Sequence, residues 1–163
     1  MTEEERREAA RDLASALEGA IRASLERDGL LRQILAAFGP DRETWIAEIG
    51  ARELVPEACR IMLARGAVGA VAISGIWYAP APDVAPLDAA MGVLRGPPAR
   101  ERPARREAAV LVPMTAQAGW HECWFFPFGR DGRRIVWGEP LKPAPKAELN
   151  LFAPFWKPDS ALS

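Results

Sequence analysis

The sequence predicts an α+β fold in which N-terminal helices pack on a four-stranded, mostly antiparallel sheet that ends in a proline-rich C-terminal tail. Three observations predict it. Thirteen of the fifteen prolines fall between Pro80 and Pro158, so only the first half is free to be helical throughout. In that half, apolar residues recur at three- and four-residue steps. The second half carries short runs of β-branched and aromatic residues separated by turn-forming ones. The 163 residues suit a single domain, 1–163, with a helical region (1–66), a sheet region (67–139) enclosing a long loop (80–106), and a tail (140–163).

Thr2 with Glu5 three residues later forms a capping box, and Glu3 and Glu4 complement the helix dipole, so a helix starts here. Ala10, Leu13, Ala14, Leu17, Ala20, Ile21 and Leu25 form its buried stripe, with Glu3–Arg7 and Glu18–Arg22 as i,i+4 pairs on the outer face. Asp28-Gly29 is a stop or a weak point. Leu31, Ile34, Leu35 and Phe38 repeat the helical spacing up to Gly39-Pro40, which predicts a second helix or a bent continuation of the first. Asp41 reads as the N-cap of a helix carrying Trp45, Ile46 and Ile49, and Pro56 as the first turn of another through Cys59, Met62 and Leu63, ended by Gly66.

Val68 to Tyr78, apolar on both faces, predicts a central strand. The connection from Pro80 to Arg106 is rich in proline, alanine and arginine, with one or two possible helical turns between Leu87 and Leu94. Its length marks it as a candidate functional loop. Ala108 to Met114, Trp120 to Phe128 and Arg133 to Trp137 complete an antiparallel meander, the last two joined through Asp131-Gly132. The tail holds five prolines and the cluster Leu149 to Trp156, too apolar to stay in water, and is expected to dock.

With 21 basic and 22 acidic residues the net charge is −1, so no bulk attraction draws the chain to nucleic acid or membrane. No apolar run approaches the roughly 18 residues of a membrane span. The start, Met1 to Glu8, has no signal-peptide pattern, and only Cys59 and Cys123 are present, which places the chain in a reducing cytoplasm.

Trp120-His-Glu-Cys-Trp124 sets the single histidine beside a cysteine. On a strand His121 and Cys123 share a face and Glu122 takes the other. A thiol nucleophile with a base, or a fragment of a zinc site, uses such a pair; zinc needs three or four ligands, and only Cys59 and scattered carboxylates remain. The plainer reading is a core cysteine and a partly exposed strand histidine. No nucleophile elbow, phosphate loop, HExxH or dinucleotide fingerprint occurs, and neither a cofactor nor a metal is called for. The helices Glu43 to Leu54 and Pro56 to Ala64 imitate a helix-turn-helix, but Glu57 stands where phosphate would approach.

Arg95, Arg100, Arg102, Arg105 and Arg106 crowd the end of the long loop, and Arg130, Arg133 and Arg134 the hairpin. Should the two lie close, the guanidiniums and nearby tryptophans would form an anion-binding and stacking surface; solubility and local ion pairs with Glu101, Glu107, Glu122 or Glu139 explain them as well. Strand alternation puts Trp120, Glu122, Trp124, Phe126 and Phe128 on one face and His121, Cys123 and Phe125 on the other. Both faces need cover. The helices supply one, and the tail with Phe152, Phe155 and Trp156, or a second chain, supplies the other.

The stretch Ala72 to Tyr78, the proline-rich loop ending in Arg105-Arg-Glu-Ala-Ala-Val-Leu-Val112, and the strand leading to Arg130-Asp131 and Trp137-Gly-Glu139 resemble small bacterial and phage proteins of unknown function. In those, a strand ending in a tryptophan motif precedes an Arg-x-Glu lead into the next strand. The resemblance spans the middle 70 residues or so. It implies the meander order and the meeting of Trp77, Arg106 and Glu107 at one loop mouth, and no activity.

The functional expectation is a non-catalytic binding or accessory protein, with a protein partner or a second copy on a surface built from Arg105, Arg106, Glu107, Arg130, Arg133, Arg134, Trp77 and Trp156. The alternatives are a nucleic-acid or polyanion binder, and a small enzyme using His121 and Cys123. No membrane role is expected.

Overall fold

The computed structural model of the chain describes residues 1–78, 106–116, 120–144 and 153–156. Helix α1 (Glu3–Asp28) opens with the capping box: the Thr2 hydroxyl accepts from the Glu5 N–H at 3.1 Å, and the Glu5 carboxylate from the Thr2 N–H at 2.6 Å. It ends at Gly29, whose left-handed backbone (φ 67°) lets its N–H reach the Leu25 carbonyl at 2.8 Å.

Beyond Gly29 the helical expectation fails. Residues 34–48 form an antiparallel hairpin of β1 (Ile34–Phe38) and β2 (Thr44–Glu48), so the first 66 residues are not wholly helical. The reason is length: a five-residue strand with Leu35 to Phe38 all buried shows no usable period, and Leu31, Ile34, Leu35 and Phe38 satisfy helical steps by accident. Asp41 caps no helix. It belongs to the three-residue loop Pro40-Asp41-Arg42, closed by the Gly39 N–H on the Glu43 carbonyl at 2.9 Å, with Arg42 left-handed at φ 63°. A 3-10 turn (Arg52–Leu54) then leads into α2 (Val55–Ala64), which carries Pro56 in its first turn.

The remaining strands are β3 (Gly69–Tyr78), β4 (Arg106–Thr115), β5 (Trp124–Asp131) and β6 (Arg134–Trp137), with a short helix α3 (Ala153–Trp156) in the tail. The sheet has six strands, not four, in the order β2-β1-β3-β4-β5-β6, every neighbouring pair antiparallel. The meander β3 to β6 is joined at its end by the two-residue loop Gly132-Arg133, with Gly132 at φ 60° in the first central position. β5 starts at Trp124, not Trp120. His121 still bridges Met114, but Pro113, opposite Glu122, has no N–H to give the ladder.

Both faces of the sheet are covered from within the chain. Under α1 lie Val71, Ile73, Ala109, Leu111, Trp124 and Phe126, and against them α1 turns Ala14 and Ile21. On the opposite face Leu35, Val110, Met114, Cys123 and Phe125 pack with Val55, Cys59 and Met62 of α2 and with Phe155 of α3. The docking expected of the tail is met at Phe155, which is fully buried. At Gly69 an added Cβ would lie 2.2 Å from the Phe38 ring, itself buried against Ala9 and Ala10, so glycine makes the room for that ring. Among the described residues no helix is long and apolar enough to cross a membrane.

Candidate functional site

Register assembles a row across four strands: Trp77 of β3 faces Glu107 of β4, Glu107 faces Phe128 of β5, and Phe128 faces Trp137 of β6. These positions end the meander beside the C-terminus of α1. Arg106, one step earlier on β4, faces the backbone position of Tyr78. An open cleft of about 520 Å³ wraps this end: among the described residues its lining includes Trp77, Glu107, Arg130 and Trp137 from the row facing α1, and Arg106 and Val136, which alternate to the opposite face. A smaller hollow of about 280 Å³ adjoins it, shares Trp77, Glu107, Phe128 and Arg130, and is bounded by Leu25, Gly29, Leu30 and Leu31.

The strut between the two hollows is an ion pair. Arg130 Nε donates to Glu107 Oε2 at 2.6 Å and its Nη2 to Oε1 at 3.1 Å, while Nη2 also donates to the Gly29 carbonyl at 2.9 Å. The two-pronged contact with Glu107 raises the Arg130 guanidinium above its ordinary value, so it stays charged. Placed against the C-terminal carbonyl of α1, that charge also meets the negative end of the helix dipole. Trp137 is held from both sides: its indole N–H donates to Glu26 at 2.9 Å, Arg22 lies 4.5 Å from its ring, and Phe128 packs 5.4 Å away at 57°.

Four of the residues expected in a site thus converge: Trp77, Arg106, Glu107 and Arg130. Arg133 and Arg134 are exposed on the hairpin and line none of these hollows. Arg105, with Arg95, Arg100 and Arg102, lies outside the described residues, as does the rest of the loop from Pro80 and the cluster at Leu149 to Phe152. Trp156 ends α3, whose neighbour Phe155 faces inward. Sequence reading misses Val136 and Phe128 as lining and offers Trp137 only as a ring near the arginines. Their signal was the Gly132-Arg133 loop, since counting back from a two-residue turn sets Phe128 opposite Trp137.

The His121, Glu122 and Cys123 segment is built differently. Cys123 is buried and its thiol is pushed by that burial to about 12, as is that of Cys59, so neither holds a useful thiolate near neutral pH. Glu122 is occupied by α1: Arg11 Nη2 reaches it at 2.6 Å, and the Trp124 indole donates to it at 3.1 Å. Burial raises the Glu122 carboxyl, but the hydrogen bonds from Arg11 and Trp124 outweigh it and leave the group below its ordinary value. No cluster of three or more metal-ligating side chains occurs among the described residues.

Comparison of the chain with protein-family models, with curated proteins and with solved structures gives no match, so the cleft is read from its own geometry.

Proposed function

We propose that the chain is a non-catalytic binding or accessory protein whose contact site is the cleft at the end of the meander. One observation carries this reading: Trp77 (37% exposed), Val136 (47% exposed) and Arg106 line a single hollow of about 520 Å³. Its volume falls within the roughly 300–1,000 Å³ of small-ligand sites. Arg106 makes no ion pair among the described residues, whereas Glu107 and Arg130 are bound to each other. Exposed surface that reaches from Trp77 on the α1 face of the sheet end to Val136 and an uncommitted Arg106 guanidinium on the other face supports a recognition surface rather than a core.

The raised thiols of Cys59 and Cys123 weaken the enzymatic alternative. The polyanion alternative loses Arg130, which is spent on Glu107 and Gly29, and retains Arg106, Arg133 and Arg134. Membership of the small bacterial and phage family belongs to this proposal, as does a reducing cytoplasm in which Cys59 and Cys123 remain thiols. A protein partner or second copy would present an apolar group to Trp77.

The reading is tested by nuclear magnetic resonance with a library of small aromatic and aliphatic fragments. Binders are expected to shift the indole signals of Trp77 and Trp137 and the Val136 methyls, and to leave Trp45 unmoved. Binders that shift only residues remote from the cleft, or a library without a binder, would overturn it.

A further inference from the structure

We infer that the chain pairs with a second copy of itself along β2, strand edge to strand edge about a two-fold axis at Ile46, so that the two sheets become one. The inference is independent of the cleft, because β2 is the outer strand at the edge opposite β6.

The phase of the β1–β2 ladder sets which backbone groups are left over. The Gly39 N–H donates to the Glu43 carbonyl at 2.9 Å and the Ile49 N–H to the Gln33 carbonyl at 2.8 Å, which extends the register from Phe38 on Thr44 to Ile34 on Glu48 at both ends. Residues 43, 45, 47 and 49 therefore aim their N–H and carbonyl groups at β1. Thr44, Ile46 and Glu48 aim theirs away from the sheet, with no strand beyond them among the described residues. Natural edges are commonly blunted by proline, lysine or a bulge. Thr44-Trp-Ile-Ala-Glu48 has none of these: its register is unbroken, and only Glu48 is charged. The other edge, β6, is four residues long and carries Arg134.

A strand of the same sequence fits this edge. Trp45 and Ala47 pack on the α2 face, so alternation puts Ile46 on the α1 face, where it is 66% exposed. Helix α1, seated over β3 to β5, leaves it uncovered. Antiparallel pairing about Ile46 joins the outward backbone groups of the two strands. It sets Ile46 on the second copy's Ile46, Thr44 on its Glu48, and Trp45 on its Ala47. Each match is complementary: two isoleucines cover one another, a hydroxyl meets a carboxylate, and a large ring lies beside a methyl group. No like charges come opposite. A register centred on Trp45 instead sets the two indoles against each other and Ile46 on Thr44. An arbitrary extended peptide shares the backbone bonds but not these matches.

The experiment measures the mass of the full chain by sedimentation equilibrium over a range of concentrations, and cross-links cysteine variants by mild oxidation before a non-reducing gel. Cys59 and Cys123 are buried and give a silent background. The parent mass is expected to rise with concentration from one chain to two. Ile46→Arg, which sets like charges opposite each other, should leave one chain throughout, with circular dichroism verifying its fold. Paired Cα atoms at these positions lie about 5.5 Å apart, within disulfide reach. Ile46→Cys should therefore cross-link to itself, whereas Thr44→Cys and Glu48→Cys should cross-link only when mixed with each other. A parent that stays one chain at every concentration, or a dimer that survives Ile46→Arg or leaves Ile46→Cys without a cross-link, overturns the inference.

Discussion

Helix α1 meets its face of the sheet largely through small buried side chains and ties its rim with charges, whereas α2 and α3 close the opposite face with Val55, Cys59, Met62 and Phe155. The buried stripe of α1 is Ala9, Ala10, Ala14, Ile21 and Leu25, which lets the helix lie close to the strands. Polar ties then run along its length. Glu3 accepts from the Thr115 hydroxyl at 2.7 Å, Arg11 holds Glu122, Glu18 pairs with Lys142, Glu26 accepts from Trp137, and the Gly29 carbonyl accepts from Arg130. From Glu3 to Glu26 they recur every seven or eight residues, about two helical turns, and so lie along one edge of the helix. Between them Arg11 covers Trp120 and Arg22 covers Trp137 and Phe126. Opposite, Cys59, Met62, Cys123, Phe125 and Phe155 make a dry cluster. The difference teaches that a helix with a thin apolar stripe can still be oriented on a sheet, because directional bonds set its rotation where shape alone would not. The last tie, Arg130 to Gly29, stops at the end of α1 and leaves Trp77 exposed beyond it.

The largest effect belongs to the apolar face. Phe125→Ala removes a fully buried ring from β5, and should cost about 3–5 kcal/mol by denaturant unfolding. A cost below about 1 kcal/mol would mean that this face is not the dry core described, and the contrast would collapse.

A smaller effect sharpens the charged face. Glu122→Gln keeps the shape and loses the ion pair with Arg11, and should cost about 1 kcal/mol near pH 7. Because the folded Glu122 titrates below its ordinary value, its stabilisation is present above the unfolded carboxylate pKa and is lost as pH falls through the folded one. Parent and variant stabilities should therefore converge on acidification below the ordinary carboxylate range. Curves that stay parallel down to that pH would show that Arg11 and Glu122 do not tie the helix.

The smallest effect is an expected absence. With both thiols buried and raised to about 12, Cys59 and Cys123 should react with an aromatic disulfide reagent only as fast as the protein unfolds. A thiol that reacts fully in the folded chain within the mixing time would place water, and a reactive group, on the face described as dry.

Much of the fold was legible residue by residue. The Thr2 to Glu5 box opened α1, Asp28-Gly29 was one of two readings for its end and proved to be the stop, Pro56 opened α2, and Gly132 closed the last hairpin. The alternation along 120–128 sorted Trp124 and Phe126 from Cys123 and Phe125 correctly. The β1–β2 hairpin was not legible, because Pro40-Asp41 serves a tight turn as well as a helix cap and the four consecutive buried residues Leu35 to Phe38 show no period. Of the residues expected at a site, Trp77, Arg106, Glu107 and Arg130 line the cleft, while Val136 and Phe128 were not expected there and Trp137 was expected only as a ring near the arginines. Nor did the sequence reveal that Arg130 is spent on Glu107, since that bond spans 23 positions.

Local chemistry in the chain determined where elements begin and end and which side chains share a face, because caps, glycine turns and strand alternation act over a few residues. Which strands neighbour one another, which arginine is neutralised and which stays available were decided only when β3 to β6 came into register beneath α1. Those outcomes depend on pairs far apart in sequence, and nothing in either partner alone carries the distance between them.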